Sequence, residues 1–245
     1  MLSISGADGR AEAIVAMPPG GRGPGVLFFM DAFGLRPRIE EMAAEIADWG
    51  YVVLAPNVFY REGAVAELVP TGDLGTPEGR ESFWRVAGPR IRHLTPDLAG
   101  RDIGAYLAAL GGLPGVVPGP VGVVGFCMGA RLAVRAAGGH PGVVAACAGF
   151  HGGGLATDAE DSPHRELATA TAEFVFGHAD HDRSMTAADV ATLGAALAAA
   201  GVTARNEIYQ GAPHGYTMAD TSSWHEAAYL RAFANLKDLF ARTLG

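Results

Sequence analysis

A chain of 245 residues, 49% of them hydrophobic, is long enough to bury one sizeable core, and single domains of this length are ordinary. The formal charge of −8 argues against nucleic acid and anionic membrane surfaces as partners, because both bind to a cationic face. Residues 1–10 are small and polar and the apolar runs are strand-sized, so neither a signal peptide nor a membrane span is expected. The two cysteines, Cys127 and Cys147, are most simply read as reduced thiols of a cytoplasmic protein.

The first quarter of the chain alternates between strand-like and helix-like segments. Residues 12–17 predict an edge strand, and residues 26–30 form the continuous apolar run typical of a strand buried on both faces. Residues 38–49 show helical periodicity that ends at Gly50, and residues 51–55 predict the next buried strand. This order favours a parallel sheet with a right-handed crossover.

Residues 57–96 are the least regular part of the chain, with many prolines and glycines and a short helix predicted at 78–86. They contain too few apolar residues for a core of their own. We therefore expect an irregular excursion over the active site within a single domain spanning 1–245. Aromatic side chains on such a segment often line a pocket, and local packing is the alternative; those of the excursion are Phe59, Tyr60, Phe83 and Trp84.

Strands and helices continue to alternate to the end of the chain, without an internal repeat. Further strands are predicted at 121–125, 143–149, 174–177 and 204–209. Further helices are predicted at 95–110, 128–137, 186–200 and 222–243. The expected fold class is α/β, with a doubly wound, mostly parallel sheet flanked by helices and the chemistry at the carboxyl ends of the strands.

The stretch Gly125-Phe126-Cys127-Met128-Gly129 lies between a predicted strand and a predicted helix. It has the form of the nucleophile elbow G-x-S-x-G, with cysteine in the place of serine. Glycines suit the flanking positions because the nucleophile of an elbow sits on a strained turn against closely packed neighbours. A helix that begins here offers free N–H groups and a partial positive charge, which favour a thiolate and an oxyanion.

This stretch has two other interpretations. A cysteine at a strand end is often only a small core residue. Glycines after a strand also mark dinucleotide sites, but glycines at 122, 125 and 129 do not form the G-x-G-x-x-G pattern. The elbow accounts for the spacing better than either alternative, and no cofactor is expected.

An activated cysteine needs a base, and the base needs an acid that orients it. On this type of sheet the acid and the histidine follow the elbow in that order, each in a loop after a strand. Asp180 in the loop after 174–177 is the predicted acid, and His214 in the loop after 204–209 is the predicted base. Asp182 is the alternative acid, although it suits the cap of the following helix.

Residues 178–182 also hold two histidines and two aspartates, His178, Asp180, His181 and Asp182. Such a set raises the alternative of a metal site. Side chains so close together in one loop converge poorly on one ion, and no further ligand cluster occurs elsewhere. No metal is therefore expected.

These motifs occur in an order that resembles the dienelactone hydrolase family of α/β-hydrolases. The resemblance rests on the elbow, on Gly177-x-x-Asp180, on Ala212-Pro213-His214-Gly215, and on Asp31-Ala32-Phe33-Gly34 followed by residues 50–56. It covers nearly the whole chain apart from the excursion. It implies hydrolysis of a small ester or lactone through a thioester at Cys127.

The resemblance also implies roles for residues outside the elbow. Asp31 would contact the thiol of Cys127 at rest, and the N–H groups of Ala32 and Met128 would form the oxyanion hole. The residues expected to bind substrate are Phe33, Tyr60, Trp84 and Tyr216.

Two departures from the family pattern bear on the substrate. Aspartate stands at position 31 where glutamate is usual, and no arginine follows His214 closely, where Tyr216, Thr217, Met218 and Ala219 stand instead. Arg85, Arg90 or Arg92 would have to supply a positive charge from the excursion. A broad carboxylesterase for neutral esters and a catalytically idle ligand-binding homologue are the alternative functions. The expected partner is a small-molecule ester or lactone, and the protein is expected to be a monomer or a small homo-oligomer.

Overall fold

Eight strands form one sheet in the computed structural model, which describes residues 1–245, with the spatial order β1-β2-β4-β3-β5-β6-β7-β8. Their bounds are β1 Leu2–Gly6, β2 Gly9–Ala16, β3 Gly25–Phe29, β4 Val52–Pro56, β5 Val121–Phe126, β6 Val144–Phe150, β7 Glu173–Ala179 and β8 Ala204–Tyr209. Strands β3 to β8 are mutually parallel, whereas β1 and β2 run antiparallel to their neighbours. The predicted α/β class and mostly parallel sheet are confirmed.

Helices flank this sheet. They are α1 Pro37–Asp48, α2 Val65–Leu68, α3 Pro77–His93, α4 Pro96–Gly111, α5 Gly129–Gly139, α6 Ala187–Ala200 and α7 Glu226–Thr243, with a 3-10 helix at Pro163–Thr169. Threonine hydroxyls cap three of them, at Thr76, Thr95 and Thr186, each accepting from a backbone N–H three residues on. None of the helices is both long and apolar enough to cross a membrane.

The order of the strands determines where a site can form. From β3 the chain crosses to β4 on one side, and β5 returns to pair with β3 on the other side. The carboxyl ends of β3 and β5 therefore meet at the point where the winding reverses, and crevices of this fold open there. Phe29 lies opposite Gly125 in the register, so the loops that follow these two strands begin side by side.

The central strands form the core. Every residue of β3, β4 and β5 is buried, as their continuous apolar runs predict for a sheet covered on both faces. A separate cluster of three buried residues, Leu74, Phe83 and Ala87, lies under α3 and includes no residue of the main core. Other residues of the excursion, Val58, Phe59 and Val65, belong to the main core, so the excursion packs against the sheet as well as through its own small cluster.

Two element predictions are wrong. Strand β2 is not the edge of the sheet, because Leu2–Gly6 pairs with it as β1 in an antiparallel hairpin. Only Ile4 of β1 is buried, so the alternation that would reveal the strand is weak. The helix predicted at 78–86 extends over Pro77–His93 and continues through Pro89, a residue expected to end it.

Candidate active site

Cys127 stands on a sharp turn between β5 and α5. Its φ of 54° lies in the left-handed region, where a residue with a side chain is strained. The two flanking glycines leave no room for a side chain. A Cβ at Gly125 would lie 2.1 Å from the carbonyl oxygen of Gly129, and one at Gly129 would lie 2.4 Å from the oxygen of Phe29. The turn has the strain and the close packing of a nucleophile elbow.

The variant Gly129→Ala is expected to destabilise the protein by at least about 1–3 kcal/mol, because its methyl group would meet backbone that cannot move aside. Gly139→Ala, at the other end of α5, is the matched control, since nothing lies within 4 Å of the added Cβ. Denaturant unfolding of both variants checks this expectation. Equal stability of the two variants would contradict it.

Three side chains from three loops form one hydrogen-bonded chain. The Sγ of Cys127 lies 3.1 Å from Nε2 of His214, and Nδ1 of His214 lies 2.6 Å from Oδ2 of Asp182. Asp182 Oδ1 accepts from the N–H and the hydroxyl of Ser184 at 2.8 and 2.7 Å. The Asp182 side chain is only 5% exposed and is held in place by these hydrogen bonds. It can therefore fix the orientation of the imidazole.

The prediction of Asp180 as the acid is wrong. Its carboxylate accepts from the N–H of Gly211 at 2.9 Å and so closes the turn after β8, with no contact to His214. The next residue, His181, has a φ of 52°, which reverses the chain and brings Asp182 under His214 instead. Asp182 also does not cap α6, because Thr186 has that role.

The histidines of residues 178–182 have separate surroundings. His178 is buried and its Nε2 lies 2.6 Å from Oδ1 of Asn206, whereas the His181 side chain is 94% exposed. The two imidazoles therefore lie in different environments, and the two carboxylates have different partners, the N–H of Gly211 for Asp180 and the ring of His214 for Asp182. These four side chains do not converge on a common point.

The charges around His214 favour its protonated form. Burial would lower its pKa, but the thiolate charge of Cys127 and the carboxylate of Asp182 together raise the pKa to about 10. The same imidazole lowers the pKa of Asp182, against the effect of that carboxyl's own burial. The arrangement places His214 where it can exchange a proton with Cys127, and the thiolate form of a cysteine is the one that attacks a carbonyl carbon.

The variant Cys127→Ala is expected to lower the pKa of His214 from its value of about 10, because it removes the negative charge next to the ring. The raised pKa stabilises the fold fully below about 6.5, and this contribution is lost as the pH rises through about 10. An NMR titration of the imidazole in wild type and variant measures the shift. An unchanged midpoint would show that Cys127 and His214 are not coupled.

Two backbone N–H groups point to an oxyanion site. Those of Ala32 and Met128 have no acceptor within the protein, although both residues are almost fully buried. The N–H of Cys127 is already bonded to the oxygen of Phe150 at 3.1 Å, so Met128 provides the first free amide of α5. Free donors beside a nucleophile are what a developing oxyanion requires.

Asp31 does not contact the thiol, contrary to what the family resemblance implies. Its two carboxylate oxygens accept from Arg36 Nη1 and Nη2 at 2.6 and 3.0 Å. Arg36 also bonds to Asp220 in the loop after His214. The carboxylates raise the pKa of Arg36 against the effect of its burial. Asp31 lines the pocket, but its charge is held by this arginine, which the sequence analysis did not identify.

A pocket of about 130 Å³ opens above Cys127 and His214. Phe33 and Trp84, two of the residues predicted to bind substrate, line it with their rings 6.0 Å apart. Arg80 of α3 also lines it; its Nη1 donates to the hydroxyl of Ser222 at 2.6 Å and it has no carboxylate partner. Arg80 was not predicted, because no sequence pattern distinguishes it from the other arginines of the excursion.

Two residues predicted to bind substrate lie elsewhere. Tyr60 packs against Gly6 of β1 and donates its hydroxyl to Asp102 at 2.8 Å, away from the pocket. Tyr216 is fully buried behind the loop of His214 and donates to the carbonyl of Gly177 at 2.9 Å. Both predictions are therefore corrected: these tyrosines stabilise the fold around the site.

The sequence is similar to those of known hydrolases. A profile of the dienelactone hydrolase family matches residues 11–244. The carboxymethylenebutenolidase of a Pseudomonas species is 30% identical over 173 residues, which are 71% of this chain and 67% of that protein. The carboxymethylenebutenolidase of Rhodococcus opacus is 28% identical over 206 residues, covering 84% of this chain and 75% of that protein.

Solved structures share the fold. A dienelactone hydrolase-like promiscuous phosphotriesterase from metagenomic libraries has a TM-score of 0.77 at 21% identity, covering 100% of this chain and 97% of that one. The dienelactone hydrolase of Anabaena variabilis has a TM-score of 0.67 at 22% identity, covering 100% and 97%. Because the family profile spans nearly the whole sequence, the chain belongs to the dienelactone hydrolase family of α/β-hydrolases.

Proposed function

We propose that this protein hydrolyses small carboxylic esters or lactones through a thioester intermediate at Cys127. The observation that carries the proposal is the continuous hydrogen-bonded chain from Asp182 through His214 to the thiol. This series of hydrogen bonds ends at Cys127 in a pocket of about 130 Å³, next to the free N–H groups of Ala32 and Met128. Nucleophile, base, orienting acid and oxyanion donors are thus available to one small substrate.

In the proposed reaction, the thiolate of Cys127 attacks the carbonyl carbon of the ester. The N–H groups of Ala32 and Met128 stabilise the oxyanion, and Asp182 keeps His214 oriented. The imidazolium of His214 donates its proton to the leaving alkoxide as the carbon–oxygen bond breaks, leaving a thioester. His214 then removes a proton from a water that attacks the thioester, which releases the acid and restores the thiolate.

Arg80 suggests a substrate with a carboxylate. Its guanidinium lines the pocket without an acidic partner, and no other side chain of the pocket carries a positive charge apart from His214. The relatives in Pseudomonas and Rhodococcus opacus are named carboxymethylenebutenolidases, enzymes of a lactone that carries a carboxymethylene group. We therefore propose a carboxylated unsaturated lactone as the first substrate to test.

Hydrolysis of a short panel tests the function. It comprises p-nitrophenyl acetate, p-nitrophenyl butyrate, a neutral lactone and a carboxylated dienelactone. Turnover of the carboxylated lactone with the highest kcat/KM is expected. Turnover of the neutral esters alone would favour the alternative of a broad carboxylesterase, which the aromatic lining by Phe33 and Trp84 supports. Failure of all four, with no labelling of Cys127 by an ester-like covalent probe, would favour a catalytically idle binding protein.

The variant Arg80→Gln is expected to raise KM for the carboxylated lactone about 10- to 100-fold, the equivalent of one charge-assisted hydrogen bond. Its kcat/KM for p-nitrophenyl acetate should stay within about twofold of the wild-type value, because a neutral ester makes no ion pair. Arg85→Gln, an exposed arginine of the same helix outside the pocket, is the control. Equal losses on both substrates would remove Arg80 as the anchor.

Free thiols at both cysteines favour a reducing compartment, because disulfides persist mainly in oxidising ones. Cys147 is fully buried in β6, which raises its pKa and makes it inert. On this basis we propose a cytoplasmic location.

A further inference from the structure

A second histidine, His151, lies beside the proposed catalytic one and has no role in the reaction described above. It follows β6 directly, is fully buried, and lines the same pocket as Cys127 and His214. Its φ of 40° lies in the left-handed region. The only other residues with side chains in that region are Cys127 and His181, which also shape the site. Strain of this kind in a residue with a side chain persists only where the surroundings impose it.

The contacts of His151 connect it to the loop that carries His214. Its Nε2 lies 2.7 Å from the Oγ1 of Thr217, three residues beyond His214. Its ring lies 5.4 Å from the ring of His214 at 65° and 5.0 Å from the ring of Tyr216 at 81°. The edge-on contact between the two histidine rings packs His151 against His214. The hydrogen bond to Thr217 connects the end of β6 to the loop that carries His214.

His151 remains uncharged while His214 carries its proton. A protonated His151 ring would donate from both nitrogens, but its buried Nδ1 has no partner in the protein. Burial and the charge of His214 both lower the pKa of His151 well below its usual range, despite the opposing effect of Asp182. A neutral imidazole can therefore pack against the imidazolium of His214 without repelling it.

We infer that His151 is a positioning residue, which with Thr217 holds the ring of His214 in line between Asp182 and Cys127. The inference rests on the proposed function, because it assigns His151 to the same reaction. His214 must keep one orientation while it first donates a proton and then removes one. A loosened loop would lower kcat without weakening substrate binding, because a small misplacement of a catalytic group slows the chemical step.

The test uses Thr217→Val, which removes the hydroxyl and nearly keeps the shape of the side chain, and Thr217→Ser, which restores the hydroxyl. Thr217→Val is expected to lower kcat for p-nitrophenyl acetate about tenfold with KM within about twofold, and Thr217→Ser to recover most of the loss. His151→Asn is expected to lower kcat similarly. Asparagine is the chosen replacement because it tolerates the left-handed backbone better than most residues. The double variant His151→Asn with Thr217→Val should be no slower than His151→Asn alone, because both substitutions remove the same hydrogen bond, the one between His151 and Thr217.

A proton NMR signal supplies a readout that does not depend on turnover. The hydrogen bond from His214 Nδ1 to Asp182 is short and charge-assisted, so its proton should resonate far downfield in wild type and Thr217→Ser and broaden or vanish in Thr217→Val. This signal separates the two hypotheses. A wild type that hydrolyses no ester but shows the signal, with its loss in Thr217→Val, would refute the proposed function and leave the positioning role intact.

The control is His178→Phe, which breaks a comparable buried bond, from His178 to Asn206, on the neighbouring strand β7. It should lower the melting temperature but change kcat less than about twofold, since His178 does not contact His214. The inference is overturned if Thr217→Val keeps wild-type kcat and the downfield signal. It is also overturned if His178→Phe slows turnover as much as Thr217→Val, or if the losses of the double variant multiply.

Discussion

Replacing Cys127 by alanine is expected to lower kcat for p-nitrophenyl acetate at least about 10³-fold, because no other nucleophile can form the thioester. The residual rate would come from the oxyanion donors and the pocket alone. Initial rates at saturating substrate measure the effect.

The control for this variant is Cys147→Ala, which removes the only other thiol. Cys147 is fully buried in β6 and lies outside the pocket, so its loss should leave kcat within about twofold of wild type. If Cys127→Ala retained wild-type turnover, the elbow would not carry the reaction.

The variant Asp182→Asn is expected to lower kcat about 10³- to 10⁴-fold with little change in fold. In the wild type, Nδ1 of His214 lies 2.6 Å from a carboxylate oxygen of Asp182. An asparagine amide would instead donate to Nδ1, which places the ring proton on Nε2 facing Cys127. That tautomer cannot accept a proton at the position where the reaction needs it. Initial rates of ester hydrolysis and a thermal melt of each variant separate catalysis from stability.

Asp180→Asn is the matched control, two residues away on the same loop. It weakens the bond to the N–H of Gly211, so it should lower stability by about 1 kcal/mol and keep kcat within about threefold. Equal losses from Asp180→Asn and Asp182→Asn would contradict the proposed role of Asp182 as the acid.

The acid illustrates what sequence can and cannot establish for this protein. The loops after β7 and β8 were predicted correctly, because their apolar strands and the order of the elbow, acid and histidine are visible as patterns. Which aspartate faces His214 depends on the left-handed turn at His181, a conformation that the residue type does not reveal. A shift of two positions therefore separates the prediction of Asp180 from the observed Asp182.

Contacts between distant segments were the hardest to foresee. Arg36 pairs with both Asp31 and Asp220, and its bond to Asp220 joins residues 184 positions apart, which no local pattern indicates. Arg80 reaches the pocket because α3 extends over it, whereas the sequence showed only five arginines in an irregular stretch. Tyr60 was predicted to bind substrate as an aromatic residue of the excursion, and Tyr216 lies two residues after His214, but the hydroxyl of Tyr60 bonds to Asp102 and that of Tyr216 to the carbonyl of Gly177.

His151 gave a signal that was overlooked. It directly follows a buried strand and precedes three glycines, Gly152, Gly153 and Gly154, at the same edge of the sheet as Cys127. A polar residue at that place is a candidate for a site on any sheet of this type. The elbow itself was recognisable because it combines a strand, two closely packed glycines and a helix start within five residues.

The most direct test of the central claim is the mass of the intact protein, measured milliseconds after mixing with p-nitrophenyl acetate and quenching in acid. We expect a species heavier by one acetyl group, located by peptide mapping at Cys127, that disappears as product accumulates and is absent from Cys127→Ala. Product release without acylation of Cys127, or acylation at another residue, would contradict the thioester mechanism.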